Sequence, residues 1–314
     1  MKWCIIMSGN MITVLSGGGG GAKFVDGLSY LKNDFSIIAN TGDDIEIYGL
    51  HVSPDVDTIM YTLSGVIDKK KGWGIKNDTF NCQKYLKSLG YEDWILIGDK
   101  DLAVHIQRTQ LLKSGKTLTE TTSELCRRFG LNIPLIPMSD DFFQTFIELE
   151  TKSIHFEEYY IKRPEGKIKN IIYKGIDKAK PSQAFLDSLD NSDWVILPPS
   201  NPFVSIGTIL SLKKVRNILK EKNVIGISPL IRGKAIKGPL VQMMKYSDFE
   251  VNSYGIAKYY QDIIDIFVID SLEADLENKI KNELGIEVFN TNTLMKTKKD
   301  RINLSKFVLK RMET

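Results

Sequence analysis

The sequence predicts an α/β fold with a doubly wound, mostly parallel, Rossmann-like sheet and an α+β insertion. Short apolar runs alternate with stretches of helical spacing along most of the chain, which is typical of repeated βα units. Glycines or polar residues follow several of the apolar runs, where the carboxyl ends of parallel strands meet. One segment, at about 141–176, interrupts the alternation with interleaved aromatic and charged residues, which indicates an antiparallel or mixed insertion.

Each predicted element rests on a local pattern. The apolar runs at 12–15, 35–39, 94–97, 133–136, 194–197, 224–227 and 264–269 have the length of buried strands. Helices are predicted at 22–31, 55–66, 102–112, 120–129, 212–220 and 305–311. In the second helix, apolar side chains recur at the spacing of one face: Val56, Ile59, Met60 and Leu63. Within the insertion, residues 142–149 and 159–162 are rich in aromatic and β-forming residues.

Length, charge and cysteine content narrow the class of protein. The 314 residues fit one large α/β domain or two small ones, and the net charge of +3 is too small to indicate a nucleic-acid partner. Three widely spaced cysteines indicate reduced thiols and a cytoplasmic protein. No apolar run approaches the roughly twenty residues of a membrane span. We predict an amino-terminal extension at 1–10 and a single domain at 11–314 that contains the insertion.

A run of five glycines lies between the first predicted strand and its helix. Glycines let a backbone approach a ligand closely, and the amino end of a helix attracts anions. The run therefore predicts a phosphate-binding loop made of Gly17, Gly18, Gly19, Gly20 and Lys23. The dinucleotide fingerprint also matches, but consecutive glycines satisfy it trivially, and the second strand ends at Asn40 rather than at an acid. A tight structural turn is the alternative, although it needs only one or two glycines.

Four aspartates follow the second predicted strand within fifteen residues: Asp43, Asp44, Asp55 and Asp57. Mg²⁺ usually binds through one or two carboxylates together with substrate phosphates, so acids beside a phosphate-binding loop suit this ion. We therefore predict Mg²⁺ as the cofactor. The alternative for Asp55 is a capping role in the first turn of a helix.

Polar residues also follow the third predicted strand. Asp99 and Lys100 begin this segment, and His105 and Arg108 lie at i and i+3 on one face of the next helix. Lys100 would bind a phosphate or carboxylate, and His105 and Arg108 would approach the same pocket. The alternative is a helix cap formed by Asp99.

Two further loops contribute polar groups. Ser200 and Asn201 follow the predicted strand at 194–197, and Ser228 opens a basic, glycine-containing loop after 224–227. A rigid turn and a solvated loop are the respective alternatives. Taken together, the polar strand ends indicate magnesium-assisted chemistry on a phosphate ester or anhydride.

The order of these motifs resembles the 2-phospho-L-lactate transferase family of coenzyme F-420 biosynthesis. The resemblance rests on SGG at 16–18, NTGDD at 40–44, SPDVDT at 53–58, GWGI at 72–75, GDKD at 98–101, PMSDD at 137–141, PSNP at 199–202 and YYQD at 259–262. It extends from about residue 11 to the carboxyl end, and the motifs are specific in combination. One departure is Gly19, where members of the family often have threonine or valine.

The resemblance implies a reaction. A 2-phospho-lactyl or enolpyruvyl-phospho group would move from a guanosine diphosphate-linked donor to 7,8-didemethyl-8-hydroxy-5-deazariboflavin, with release of GMP. The terminal ribityl hydroxyl of the acceptor would attack the phosphorus that bears the three-carbon acid. The likeness also implies small-molecule substrates, a homodimer, and neither nucleic acid nor a membrane as a partner.

The resemblance also implies roles for individual residues. Asp57 and Lys100 would bind and orient the acceptor, and Asp44 and Asp57 are the predicted catalytic residues. Asp57 as general base is a further hypothesis. The predicted Mg²⁺ ligands are Asp43, Asp44 and Asp57. The other predicted substrate-binding residues are the glycine-loop residues named above, Asn40, His105, Arg108, Ser200, Asn201 and Ser228, with Ser200 and Asn201 on the guanosine side.

Two other functions remain as alternatives. A sugar-nucleotide-binding regulator of the gluconeogenesis-factor type would bind nucleotide without releasing GMP. An NAD-dependent oxidoreductase with a Rossmann domain would bind NAD. The GWGI segment at 72–75 favours the transferase over the regulator.

Overall fold

The strands and helices follow one another in βα order along the chain. The computed structural model describes residues 11–235 and 238–313, so the extension predicted at 1–10 lies outside the described residues. The strands are β1 (Ile12–Ser16), β2 (Phe35–Ala39), β3 (Ile45–Ile47), β4 (Leu50–Val52), β5 (Leu135–Pro137), β6 (Gln144–Leu149), β7 (Ser153–His155), β8 (Ile168–Lys174), β9 (Trp194–Leu197), β10 (Asn223–Ile227), β11 (Leu230–Ile231), β12 (Lys234–Ala235), β13 (Ile266–Asp270) and β14 (Glu287–Thr291).

Helices connect most of these strands. The α-helices are α1 (Gly18–Ser29), α2 (Pro54–Leu63), α3 (Asn81–Ser88), α4 (Asp99–Lys113), α5 (Leu118–Arg128), α6 (Phe156–Lys162), α7 (Gln183–Asp190), α8 (Gly207–Leu210), α9 (Val215–Leu219), α10 (Leu240–Tyr246), α11 (Ser253–Tyr260), α12 (Glu277–Leu284) and α13 (Lys298–Arg311). A π-helix spans Pro202–Ile206, and a 3₁₀-helix spans Ser271–Leu276. Within the described ranges, no helix combines the length and the apolar character needed to cross a lipid bilayer.

A parallel sheet of seven strands forms the centre of the fold. Its order is β14-β13-β10-β9-β1-β2-β5, and every neighbouring pair is parallel. The order reverses between β1 and β9, because β2 and β5 lie on one side of β1 and the later strands lie on the other. In such sheets a ligand binds outside the carboxyl ends of the strands at the reversal. The doubly wound, Rossmann-like fold predicted from the sequence is confirmed.

Both faces of the sheet are covered, which explains why its strands are continuous apolar runs. On one face, Val14 of β1 belongs to the core formed with Phe24 of α1 and Ile59 of α2. On the other face, Leu15 belongs to a core that includes Phe185 of α7. Neighbouring residues of one strand therefore point to opposite faces, yet both are buried.

The glycine run belongs to a helix and not to a loop ahead of it. The structure begins α1 at Gly18 rather than at residue 22, and Gly17 is the amino-terminal cap in an extended conformation. The first backbone N–H groups of a helix have no partner inside the helix. In α1 these groups belong to glycines without side chains of their own, and Gly18 N donates to Asp55 Oδ1.

The strand predicted at 94–97 is wrong, because these residues form an irregular segment. The side-chain amide of Gln83 donates to Ile95 O and accepts from Ile97 N, at 3.1 Å for the second bond. It thereby satisfies backbone groups that a neighbouring strand would otherwise pair. The segment is apolar because Ile97 packs against Ile47 and Val52 of the β3–β4 hairpin.

The insertion contains a separate antiparallel sheet. β6 pairs with both β7 and β8, and alternate residues of β6 are buried. The β-rich interpretation of 159–162 is wrong, because these residues belong to α6, which buries Phe156 and Tyr159 at i and i+3. His155 Nδ1 accepts from Glu157 N at 3.2 Å and caps this helix. The insertion is therefore α+β, as predicted, and the division of the chain into domains stays a prediction.

Two glycines of α1 provide a matched test of this packing. A Cβ at Gly27 would overlap the backbone of Arg301 on α13, whereas a Cβ at Gly19 would meet no described atom within 4 Å. We expect Gly27→Ala to lower the free energy of unfolding by about 1–3 kcal/mol, because overpacking strains the contact between the helices. Gly19→Ala should leave it unchanged or raise it by up to about 1 kcal/mol, since alanine favours a helix. Urea unfolding measures both, and equal midpoints would contradict the α1–α13 contact.

Candidate active site

A cavity of about 890 Å³ lies at the carboxyl edge of the sheet, beside the reversal of strand order. The motifs predicted to bind substrate largely meet there. The predicted residues that line it are Gly17, Gly18, Gly19, Gly20, Lys23, Asp43, Asp57, His105, Ser200, Asn201 and Ser228. Four other predicted residues, Asn40, Asp44, Lys100 and Arg108, do not form part of its lining.

The glycine run packs closely against the loop that follows β9. Ser200 Oγ donates to Gly17 O at 2.7 Å, and a Cβ at Gly20 would overlap Pro199 O. Gly18 adopts a φ of +65°, which a residue with a side chain rarely adopts. Gly19 alone faces open space, so a threonine, as in the family, would fit at this position. Helix amino ends favour anions, and the phosphate-binding role of this run stays a prediction.

Three carboxyl groups that line the cavity form an acidic cluster: Asp43, Asp55 and Glu157. The Asn40 side-chain amide donates to Asp43 Oδ2 and to Asp55 Oδ2, at 2.9 Å in each case, and holds the two acids side by side. Asp55 Oδ1 also accepts from Gly18 N at 2.7 Å, which joins the cluster to the glycine run.

The acidic cluster holds more negative charge than its surroundings compensate. Burial raises the pKa of Asp55 to about 6 and that of Glu157 to about 8. The negative charge of Asp55 is the second cause of the raised pKa of Glu157. Burial, followed by Asp55 and Glu157, raises the pKa of Asp43 well above its ordinary value. Among the described residues, the Asn40 amide and Gly18 N donate hydrogen bonds to this cluster.

Asp44 lies behind the cavity wall and fastens the β3–β4 hairpin. Its Oδ2 accepts from His51 Nε2 and from Ser53 Oγ, at 2.7 Å in each case. Burial raises the pKa of Asp44, while the hydrogen bond and charge of His51 lower it. Its predicted catalytic and metal-binding roles stay predictions, and its contacts in the structure are with the hairpin and the start of α2.

Asp57 forms a bidentate ion pair with Arg108, which is fully buried. The pair links α2 to α4, and Arg108 also donates to His105 Nδ1 at 3.2 Å. Burial lowers the pKa of His105 to about 4, so its ring is neutral near pH 7. The predicted residues Asp57, His105 and Arg108 are therefore brought together by one buried network.

A second possible set of metal ligands is Asp57, Asp101 and His105. One potential ligand atom of each lies within 4.8 Å of the others. A divalent cation at this position would stand beside the guanidinium of Arg108, which already binds both oxygens of Asp57. Like charges repel strongly in a buried site, so the Arg108 guanidinium opposes a cation at this position.

The segment at 98–101 connects two helices by reciprocal capping. Asp99 accepts from backbone N–H groups at the start of α3, and Asp78 accepts from the first N–H groups of α4. The ammonium of Lys100 donates to Asn77 O at 2.7 Å. Lys100 therefore contacts the loop before α3, and its role toward a substrate stays a prediction.

The polar residues after β9 and β10 line the cavity and shape its wall. Asn201 Oδ1 accepts from Phe203 N at 2.9 Å and begins the π-helix. Ser228 Oγ accepts from Ser253 Oγ at 2.7 Å. π-helical turns occur frequently at functional sites, and this one directs Ser205 against Gly17, where a Cβ would lie 2.8 Å from Ser205 Cβ.

Large apolar and aromatic side chains also line the cavity, and we call them the apolar wall: Trp73, Trp94, Leu96, Tyr160 and Ile161. No role was predicted from the sequence for this wall, for Glu157, Ser205 or Asp101. The signals were GWGI at 72–75 and GDKD at 98–101, which contain Trp73 and Asp101, and the apolar run at 94–97, which lines the cavity instead of forming a strand. Nothing near Glu157 distinguishes it from its neighbour Glu158, since only the packing of α6 against the sheet brings it to Asp55.

Comparison with known proteins gives a consistent result. Residues 12–305 match the family model described as 2-phospho-L-lactate transferase CofD. A 2-phospho-L-lactate transferase of Methanocaldococcus jannaschii is 38% identical over 306 residues, covering 95% of this chain and 97% of the relative. That of Methanococcoides burtonii is 36% identical over 301 residues, covering 94% and 97%. A crystal structure of a UPF0052 family member from Bacillus halodurans shares the fold, with a TM-score of 0.65, 14% identity, and coverage of 96% and 99%.

The buried ion pair provides a test of this architecture. We expect Asp57→Asn to lower the free energy of unfolding by about 3–5 kcal/mol, because it leaves the Arg108 guanidinium buried without a counter-charge. The control is Asp262→Asn, which removes an ion pair with Arg216 at the surface. That change should cost only about 0–1 kcal/mol. Urea unfolding of both variants measures the difference, and similar losses would contradict the buried pair.

Proposed function

The chain belongs to the 2-phospho-L-lactate transferase family, and on this basis we propose the reaction in detail. A 2-phospho-lactyl or enolpyruvyl-phospho group moves from a guanosine diphosphate-linked donor to the ribityl hydroxyl of 7,8-didemethyl-8-hydroxy-5-deazariboflavin, and GMP leaves. The observation that carries the proposal is that the glycine run, the acidic cluster and the apolar wall line one cavity. A phosphate site, a cation site and a site for a flat ring are thus adjacent.

The glycine run suits the diphosphate of the donor. N–H groups and the positive end of the α1 dipole favour a phosphate at this position. Asp55 is hydrogen-bonded to Gly18, so carboxylates and phosphates would be close neighbours and would repel each other. A cation between them removes that repulsion.

Mg²⁺ fits this position, with Asp43, Asp55 and Glu157 as its protein ligands. The three acids offer oxygen ligands that line the cavity, and Mg²⁺ commonly combines a few carboxylates with substrate phosphates. The ion would neutralise charge on the transferring phosphoryl group. Of the predicted ligands Asp43, Asp44 and Asp57, this set keeps Asp43 and adds Asp55 and Glu157. It omits Asp44, whose Oδ2 accepts from His51 and Ser53, and Asp57, because Arg108 binds both of its oxygens.

The apolar wall suits the deazaflavin ring of the acceptor. Trp73 and Trp94 offer flat surfaces on which a ring can stack, and Tyr160 and Ile161 of α6 complete the wall. From there the ribityl chain would extend toward the glycine run. Asp57 lines the same path and is rigidly held by Arg108, which suits it to orient ribityl hydroxyl groups.

Such a transfer needs little covalent help from the protein. Binding both substrates in one cavity and neutralising the phosphoryl oxygens supplies most of what the reaction requires. The second strand ends at Asn40, whose amide holds two acids of the cluster, instead of at the acid that an NAD site would place on a ribose. This argues against the oxidoreductase alternative.

The proposal is tested by turnover. The purified protein is incubated with the deazaflavin alcohol, Mg²⁺ and each guanylylated donor in turn, and products are separated and identified by mass. We expect a phospho-lactyl or phospho-enolpyruvyl deazaflavin with one GMP per product, and loss of activity with a chelator. Tight binding of nucleotide without product from any donor would favour the nucleotide-binding regulator.

Glu157 and its neighbour give a matched test of the cation site. We expect Glu157→Gln to raise the half-saturating Mg²⁺ concentration by about tenfold or more, because it removes a charged ligand. Glu158→Gln, on the same helix but paired with Lys162 at the surface, should leave it unchanged. Turnover measured against Mg²⁺ concentration distinguishes the two. An unaltered Mg²⁺ requirement in Glu157→Gln would remove Glu157 from the proposed set.

A further inference from the structure

Asp101 is a buried carboxylate of the cavity that has no role in the reaction as proposed so far. It lies on α4, and its side chain is 12% exposed. The hydroxyl of Tyr61 donates to Asp101 Oδ1 at 2.7 Å. No described residue donates a hydrogen bond to Oδ2, which lies on the side of Gly74, where an added Cβ would be 4.0 Å away. One oxygen is therefore held by Tyr61, and the residue itself lines the cavity.

A relay of buried groups fixes the orientation of Asp101. Arg108 donates to His105 Nδ1, so the proton of the neutral His105 ring is on Nε2. That nitrogen lies 3.5 Å from Asp101 Oδ1. Arg108 is in turn held by Asp57. The His105 ring thus connects the Asp57–Arg108 pair to Asp101. Its Nε2–H is directed at Asp101 Oδ1, the oxygen that also accepts from Tyr61.

The other carboxylates of the cavity are less suited to accept a proton. Both oxygens of Asp57 bind the guanidinium of Arg108, so neither is free to accept from a substrate hydroxyl. The acidic cluster is assigned to Mg²⁺ in the proposed function, and a bound cation disfavours protonation. Asp101 combines an oxygen held by Tyr61 with a second oxygen to which no described residue donates, and Asp43, which has the same combination, is assigned to the cation in the proposed function.

We propose that Asp101 is the general base of the transfer, a role that rests on the proposed function. As the ribityl hydroxyl attacks phosphorus, its O–H bond breaks and the proton passes to Asp101 Oδ2. A bond forms between the hydroxyl oxygen and phosphorus, and the bond from phosphorus to the oxygen of GMP breaks. GMP leaves with that electron pair as a phosphate monoester, and Asp101 returns its proton to solvent after the product departs.

The charges around Asp101 agree with this role. Burial raises its pKa to about 7, and Asp57 of α2 and Asp78 of the loop before α3 raise it further. The Tyr61 hydrogen bond and the Arg108 charge lower it, and the His105 ring that faces it is neutral. The carboxyl group is therefore protonated at acid pH and becomes a competent base as the pH rises through about 7, near the working pH of an effective general base.

The test is the pH dependence of kcat at saturating substrates for Asp101→Asn, which keeps an oxygen for Tyr61 to donate to. We expect kcat to fall by about 10²–10⁴-fold and the rise in rate through neutral pH to disappear. KM for both substrates should stay within about threefold, because only a transition-state contact is lost. Asp99→Asn is the control: the same substitution on a residue that caps α3 should keep the rise in rate.

Tyr61→Phe provides a second, independent readout that leaves Asp101 in place. Loss of the hydrogen bond should raise the pKa of Asp101, so the rise in rate should move to higher pH. An unmoved pH profile in Tyr61→Phe, or an Asp101→Asn variant that keeps the wild-type profile, overturns the proposal, even if the other variant fails to fold. Absence of turnover by the wild type at any pH would instead remove the proposed function together with its base.

Discussion

The constraint on which the site depends is an excess of buried negative charge at one edge of the sheet. Besides the exposed Asp93, the carboxyl groups in or behind the cavity are Asp43, Asp44, Asp55, Asp57, Asp101 and Glu157. Arg108 is the one buried arginine among them in the described chain, and it is committed to Asp57. Isolated buried charges are costly, so the rest must be hydrogen-bonded, protonated or paired with a ligand. The raised pKa values of Asp55, Glu157 and Asp101 result from this burial of carboxyl groups.

Hydrogen-bond donors from other elements of the fold stabilise these acids. Asn40, at the end of β2, binds two acids that belong to different segments, and the first turn of α1 donates to one of them. Arg108 reaches Asp57 only because α4 is fixed at its start, where Asp78 caps it. The site is thus a consequence of the assembled sheet and its helices, since no single segment could hold its own acids in place. Rigid elements of this kind hold the side chains of a site in a precise geometry.

The difference between what the sequence predicted and what it missed has a physical cause. Strands such as β2 and β9 were predicted at their observed bounds, because a strand buried on both faces must be apolar throughout. The same reasoning failed at 94–97, since an apolar run records burial and not the identity of the backbone partner, which here is the side chain of Gln83. Motifs at strand ends converge by topology, which is why the glycine run and Asp43 were predicted together. Glu157 reaches them through packing of the insertion, for which no local pattern exists.

The two groups of acids in the cavity differ because of where the positive charge lies. On the side of the glycine run, Asn40 and Gly18 hold Asp43 and Asp55 beside the proposed phosphate site, so a metal ion bound with the phosphates would be attracted. On the side of α4, the Arg108 guanidinium repels a cation from Asp57 and its neighbours. In the proposed reaction, the side of α4 would therefore keep a carboxyl group, Asp101, that exchanges a proton near neutral pH, and the side of the glycine run would hold the cation. Arg108 would thereby separate charge neutralisation from proton transfer within one cavity, so that the two functions would not compete for the same carboxylate.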